Sequence, residues 1–117
     1  MKIIQVVNAL PALKKLAVCE LDLKTLYKIN KLFGNLESEI AFYNEQRNKI
    51  LTKYCDIVGN QYVPRKEDEE KLHEELNELL NVEIESDVSE VSLMVTEDIK
   101  LSYNDLMVLK GFVSLEE

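Results

Sequence analysis

The sequence predicts a mainly α fold: a long central helix in an antiparallel helical hairpin with an N-terminal helix, plus a small β element and a C-terminal helix. Three observations predict it. Apolar residues recur at alternating spacings of three and four from Leu26 to Ile57. Only 3 Gly and 2 Pro punctuate the 117 residues, so little interrupts helix formation. After residue 81 the helical period gives way to short alternating or β-branched runs. By length the chain is one domain, 1–117, with a helical hairpin body over 1–81 and the β element and C-terminal helix over 82–117.

The first segment, IIQVVNALPALKKLAV at 3–18, places Ile3, Val6, Val7, Leu10, Leu13, Leu16 and Ala17 at helical spacing. Pro11 leaves two readings open: a helix that starts there, or one kinked there. A short strand at KIIQVV is a third. Asp22 is a good N-cap for the next helix, with Leu21 placed to staple onto Leu26. The seam then runs Leu26, Ile29, Phe33, Leu36, Ile40, Tyr43, Arg47, Ile50, Tyr54, Ile57, which predicts one helix over 23–57 with coiled-coil character. At 1.5 Å per residue it spans about 50 Å.

VGNQYVP at 58–64 breaks that pattern. Gly59-Asn60 is turn chemistry, and Pro64 suits the first turn of a new helix over 65–81. Glu67, Asp68, Glu69 and Glu70 load its N-terminus with negative charge, where the helix dipole favours it. Leu72, Leu76, Leu79 and Leu80 form its apolar face. This helix is about half as long as the central one, so it covers only the C-terminal half, and the N-terminal helix covers the rest. VEIE at 82–85, VSLMV at 91–95 and IKL at 99–101 predict two short strands as a hairpin. LSYNDLMVLKG then carries a full helix signature: Ser102 caps, Asp105 closes a capping box and Gly111 ends it. Phe112, Val113 and Leu115 dock back on the body.

The net charge of -8 argues against general nucleic-acid binding. It is unevenly spread. Residues 1–66 hold eleven Lys/Arg against six Asp/Glu, a balance of +5, and residues 67–117 hold three against sixteen, a balance of −13. Two readings follow: the halves fold against each other, or a basic patch remains for a small anion or an acidic protein. The two cysteines, Cys19 and Cys55, do not make a disulfide framework. No charged-then-apolar leader opens the sequence, and no apolar run is long enough to span a bilayer. The expectation is a cytoplasmic protein with free thiols and no membrane attachment.

No glycine-rich phosphate loop, nucleophile elbow or HExxH occurs. With His73 as the single histidine and no CxxC, no structural zinc is expected. As a general base His73 would need a nucleophile nearby, and the sequence nominates none. The carboxylates of 67–78 read as a solvated helix face, and ESDVSE at 85–90 lacks the spacing of a calcium loop. The reading is a non-enzyme with no cofactor and no metal.

Arg47 interrupts an otherwise apolar seam. In a hairpin closing at 58–64 it faces Leu76, flanked by Glu75 and Glu78. As architecture it is a partly buried Arg–Glu pair that sets register. As a site it lines a cleft for an anion, with Lys28, Lys31, Asn44 and Asn48 completing a polar pocket.

The pieces ALPALKKLAVCELDLKTLYKINKLFGNLESEIAFYNEQRNKILTKYC, GNQYVP, EKLHEELNELLNVEIE and IKLSYNDLMVLKGFV, in that order, resemble a group of small helical proteins encoded by bacteriophages and prophages of Gram-positive bacteria. The resemblance covers most of the chain and rests on pattern rather than on a catalytic motif. It implies a viral accessory protein in the host bacterial cytoplasm, active in virion assembly or anti-defence. The expected function is non-enzymatic binding of a host or viral protein partner, with a homodimer as one form. The alternative is an anti-defence sponge that sequesters a small anionic nucleotide signal.

Overall fold

A computed structural model describes residues 1–85, 88, 90–94 and 99–116. Its elements are α1 (Ile3–Ala17), α2 (Leu23–Tyr54), β1 (Cys55–Val58), β2 (Gln61–Pro64), a 3-10 turn (Lys66–Asp68), α3 (Glu69–Leu80), β3 (Val91–Met94), α4 (Tyr103–Val108) and β4 (Val113–Glu116). The fold is mainly helical, with a long helix, small sheets and a C-terminal helix, as expected.

Helix α1 runs through Pro11 rather than starting there, and Pro11 is exposed. Proline removes one helical hydrogen bond, and the face formed by Ile3, Val6, Ala9, Ala12, Leu13 and Leu16 offsets it by complete burial. KIIQVV is therefore helical from Ile3 onward. Asp22 caps α2 as expected: its carboxylate accepts from the Thr25 amide at 3.2 Å and the Thr25 hydroxyl at 2.6 Å.

The apolar seam of α2 divides between two cores. In the first, Ile29, Leu32 and Leu36 meet Val6, Ala9, Ala12, Leu13 and Leu16 of α1, with Val91, Leu93, Leu109, Phe112 and Val113 closing the other side. In the second, Leu51, Tyr54 and Cys55 pack on Leu72, flanked by Ile50 and Leu76. Ile40 is only half-buried, at the edge of the first core. Arg47 falls between the cores, exposed.

The region after Tyr54 differs from expectation. The helix stops at Tyr54, and Ile57 lies on a strand rather than on the seam. β1 and β2 form an antiparallel hairpin with Ile57 opposite Tyr62. Gly59 at φ 63, with no positive φ at Asn60, makes the two-residue turn type II′, whose twist matches that of paired strands. Pro64 ends β2 instead of opening a helix. Residues 55–64 are rich in β-branched and aromatic side chains, and the turn decides their pairing. Nothing lies within 4 Å of a Cβ added at Gly59, so Gly59→Ala meets only the left-handed backbone penalty. Its expected cost is about 1 kcal/mol, read from a urea midpoint. An unchanged midpoint would mean that the turn is not populated.

The second sheet is not the expected hairpin. β3 and β4 pair in parallel, with Val91, Ser92 and Leu93 opposite Val113, Ser114 and Leu115, and α4 lies in the connection between them. Parallel strands need such a crossover. The IKL segment at 99–101 forms no strand, and Ile99 and Leu101 instead pack on the first core. Val95 of the expected second strand, and Ser86, Asp87 and Ser89 of the 85–90 segment, lie outside the described residues. From VEIE, only Glu83 bridges, to Lys2. The Ile3 amide donates to the Val82 carbonyl at 3.0 Å and the Ile84 amide to the Met1 carbonyl at 2.9 Å. The capping box of α4 forms as read: Ser102 Oγ accepts from the Asp105 amide at 3.1 Å, and the Asp105 carboxylate accepts from the Ser102 amide at 3.0 Å. Gly111 follows with φ 91. Phe112 and Val113 are buried, while Leu115 stays exposed.

Candidate interaction surface

The β1–β2 hairpin exposes apolar side chains on both of its faces. Its residues alternate between two faces: Cys55, Ile57, Tyr62 and Pro64 on one, Asp56, Val58, Gln61 and Val63 on the other. Only Cys55 is buried. Ile57 is 65% exposed, Val58 63%, Val63 45% and Tyr62 40%. The sheet has two strands among the described residues, so both outer edges are open. An isolated two-stranded hairpin is marginal in water, and this one is held only at its base.

Arg65 supplies that base. Its amide donates to the Tyr54 carbonyl at 3.2 Å, and its Nη2 donates to the Lys53 carbonyl at 3.0 Å. Its guanidinium also lies 3.4 Å from Asp56 and 3.6 Å from Asp68. One planar fork thus ties the end of α2, strand β1 and the 3-10 turn together.

Lys53 and Glu75 join α2 to α3 at 3.5 Å, and Lys53 Nζ also sits 5.0 Å above the Tyr54 ring. The Tyr54 hydroxyl and the Lys53 ammonium hold the Glu75 carboxyl below its usual range. Tyr54 and Glu75 in turn raise the Lys53 ammonium. The register-setting pair is therefore Lys53–Glu75. Arg47 is exposed and makes no ion pair among the described residues. The hairpin takes residues 55–64 out of the helical seam, so α2 ends at Tyr54 and α3 begins at Glu69.

Two further pairs join the basic and acidic halves. The N-terminal ammonium lies 3.0 Å from Glu83. Lys15 Nζ donates to the buried Asp105 at 2.8 Å, so the capping carboxylate of α4 also pins α4 to α1. Lys15 and the Ser102 amide keep the Asp105 carboxyl below its ordinary range. A carboxyl lowered in the folded state stabilises fully above its unfolded value of about 4, and that contribution is lost as pH falls through the lower folded value. Wild type is therefore expected to lose melting temperature more steeply than Asp105→Asn below about pH 4. Parallel acid limbs for the two proteins would show that the Lys15–Asp105 contact contributes nothing. Lys53 behaves oppositely: its contribution is full below 10.5 and is lost as pH rises through its raised value.

The other residues singled out as a site are dispersed. Lys28 and Lys31 line one cleft of about 340 Å³ with Leu32, Asn35, Glu90, Val91 and Ser92. Asn48 lines a separate shallow depression with Lys49, Thr52 and Lys53. Asn44 and Arg47 are exposed and line neither. Along α2, Arg47 stands about 28 Å from Lys28, so one small anion cannot touch both within a single chain. His73 is exposed on α3. Among the described residues no three His, Cys, Asp or Glu side chains gather in a metal-holding group. No described helix is long and apolar enough to cross a membrane.

Sequence reasoning missed the hairpin and Arg65. The signal was present: Gly59-Asn60 is flanked by CDIV and QYVP, two four-residue runs of strand formers. No protein-family model matches the chain, and neither a curated protein nor a solved structure matches it.

Proposed function

We propose that the chain is a non-enzymatic accessory protein that works by binding a host or viral protein partner. We read it as phage- or prophage-encoded and as acting in the host bacterial cytoplasm. The observation that carries this reading is an excess of open surface. The chain exposes 8224 Å², where a compact monomer of 13.5 kDa exposes about 6,500 Å². The difference is about twice what one partner buries in a standard protein interface. The radius of gyration, 17.0 Å against about 13 Å for a compact domain of this length, agrees. The apolar side chains of the β1–β2 hairpin supply the anchors that such an interface needs. We also read α2 and α3 as the arms of an antiparallel helical hairpin, a reading supported by Lys53–Glu75 and by the packing of Leu72 and Leu76 on the end of α2.

The test is capture of partners from infected and uninfected cells with wild type and with Ile57→Thr/Tyr62→Thr. The expected result is a protein retained by wild type and lost with the variant, while both melt alike. Equal retention by both, or retention of nothing, would count against the reading. A second copy of the chain would show as a dimer by light scattering.

The alternative, a sponge for a small anionic nucleotide, is favoured by one observation. The cleft beside Lys28 and Lys31 is large enough for such a ligand and has an apolar floor in Leu32 and Val91. Glu90 in the same cleft opposes it by charge repulsion. A thermal-shift panel of cyclic nucleotides on wild type and Lys28→Ala/Lys31→Ala separates the two functions.

A further inference from the structure

The geometry points to a particular chemistry for the occupant of the β1–β2 hairpin: a basic protein segment with an apolar anchor. This rests on the binding function proposed above and adds the class of partner. Two independent features follow one another closely in the chain here. One is the exposed apolar hairpin, with Ile57 and Tyr62 side by side on one face. The other is helix α3, which begins only a few residues beyond Tyr62. Between Lys66 and Asn81 seven carboxylates stand against two lysines, Lys66 and Lys71. Two of the carboxylates are engaged, Asp68 with Arg65 and Glu75 with Lys53. Glu67, Glu69, Glu70, Glu74 and Glu78 are all exposed and form no salt bridge among the described residues. Glu70, Glu74 and Glu78 follow helical spacing on α3, so they form one stripe about 12 Å long.

Charge then selects among occupants. Apolar anchors alone would accept many surfaces. A second copy of this chain brings the same net charge of -8 and the same unpaired glutamates to the contact. Acidic or neutral partners either add repulsion or leave the stripe without counter-charge. A segment with lysines or arginines flanking one or two apolar side chains satisfies both features. It seats its apolar side chains on Ile57 and Tyr62 and its cations along the glutamates, which also raises its rate of encounter.

The experiment uses the full chain and two synthetic amphipathic helical peptides with the same leucine face. One carries lysine and arginine at its polar positions, the other glutamate. Binding is followed by calorimetry at low and moderate salt. The basic peptide is expected to bind and the acidic one not to, with affinity falling as salt rises. Ile57→Thr/Tyr62→Thr should weaken the basic peptide about tenfold or more. Glu70→Gln/Glu74→Gln/Glu78→Gln, on an exposed helix face, should also weaken it and flatten its salt dependence. Basic-peptide binding that ignores the hairpin variant is diffuse attraction to an acidic protein and overturns the inference. So does equal binding of the two peptides, or binding of neither. A hairpin-dependent partner captured from cells whose contact surface is neutral or acidic overturns the inference too, while leaving the binding function itself intact.

Discussion

Leu36→Asp is expected to lose about 4 kcal/mol or more, enough to unfold much of a chain of ordinary stability. Leu36 is fully buried on α2, where α1 and the β3–β4 unit meet it. No described cation pairs there, so a carboxylate would enter apolar surroundings without a partner. The control is Arg47→Met, three turns further along the same helix. It changes an exposed residue with no described ion pair, so its expected effect lies within about 0.5 kcal/mol. Urea unfolding of both variants against wild type gives the comparison. Equal midpoints for the two would mean that α2 does not bury the face that Leu36 occupies. A large loss for Arg47→Met would restore that arginine to an architectural role.

Phe112→Ala should cost about 3–5 kcal/mol, the usual loss when a large buried ring leaves a cavity. Phe112 is the largest of the fully buried side chains and stands where three elements converge. Its amide donates to the Leu109 carbonyl at 2.9 Å, closing the end of α4. Its carbonyl accepts from the Val91 amide at 2.9 Å, where β3 begins. Losing the ring therefore loosens α4, β3 and β4 together. Phe112→Leu keeps much of the volume and should cost less, about 1.5 kcal/mol. Circular dichroism melts rank the three proteins, and amide exchange in β4 shows where the loss falls. A Phe112→Ala protein as stable as wild type would mean that β4 does not dock on the first core.

The long helix, its Asp22 cap and the Ser102–Asp105 capping box were legible because each is local. A cap needs partners within three or four residues, and a helix declares its period in any dozen. Part of the candidate surface was legible as well. The acid of 67–78 is composition, and its helical stripe is spacing. The hairpin was written in CDIV-GN-QYVP, yet Ile57 also fitted the helical seam. A residue that satisfies both periods cannot choose between them.

Pairing between distant segments was not legible. The tripeptide VSL occurs at 91–93 and again at 113–115, and these two copies lie side by side in parallel register. Nothing local distinguishes that from an antiparallel pair, because the choice depends on where α4 places the returning chain. Arg47 and Arg65 make the same point. By sequence Arg47 stood on the seam and Arg65 opened the helix expected over 65–81. In the folded chain Arg65 holds the hairpin's base and Arg47 lies in solvent between two cores.

The sequence by itself determined that the chain is mainly helical, where α2 and α4 begin, and that one half of the chain carries the negative charge. Those properties follow from backbone hydrogen bonding and side-chain spacing over a few residues. Only the tertiary structure decided that the seam of α2 serves two cores, that Lys53 rather than Arg47 meets Glu75, and that an apolar hairpin stands uncovered beside an acidic helix. Those depend on how the other elements pack along α2, which no local spacing fixes. A shift of one helical turn there exchanges every partner across the interface.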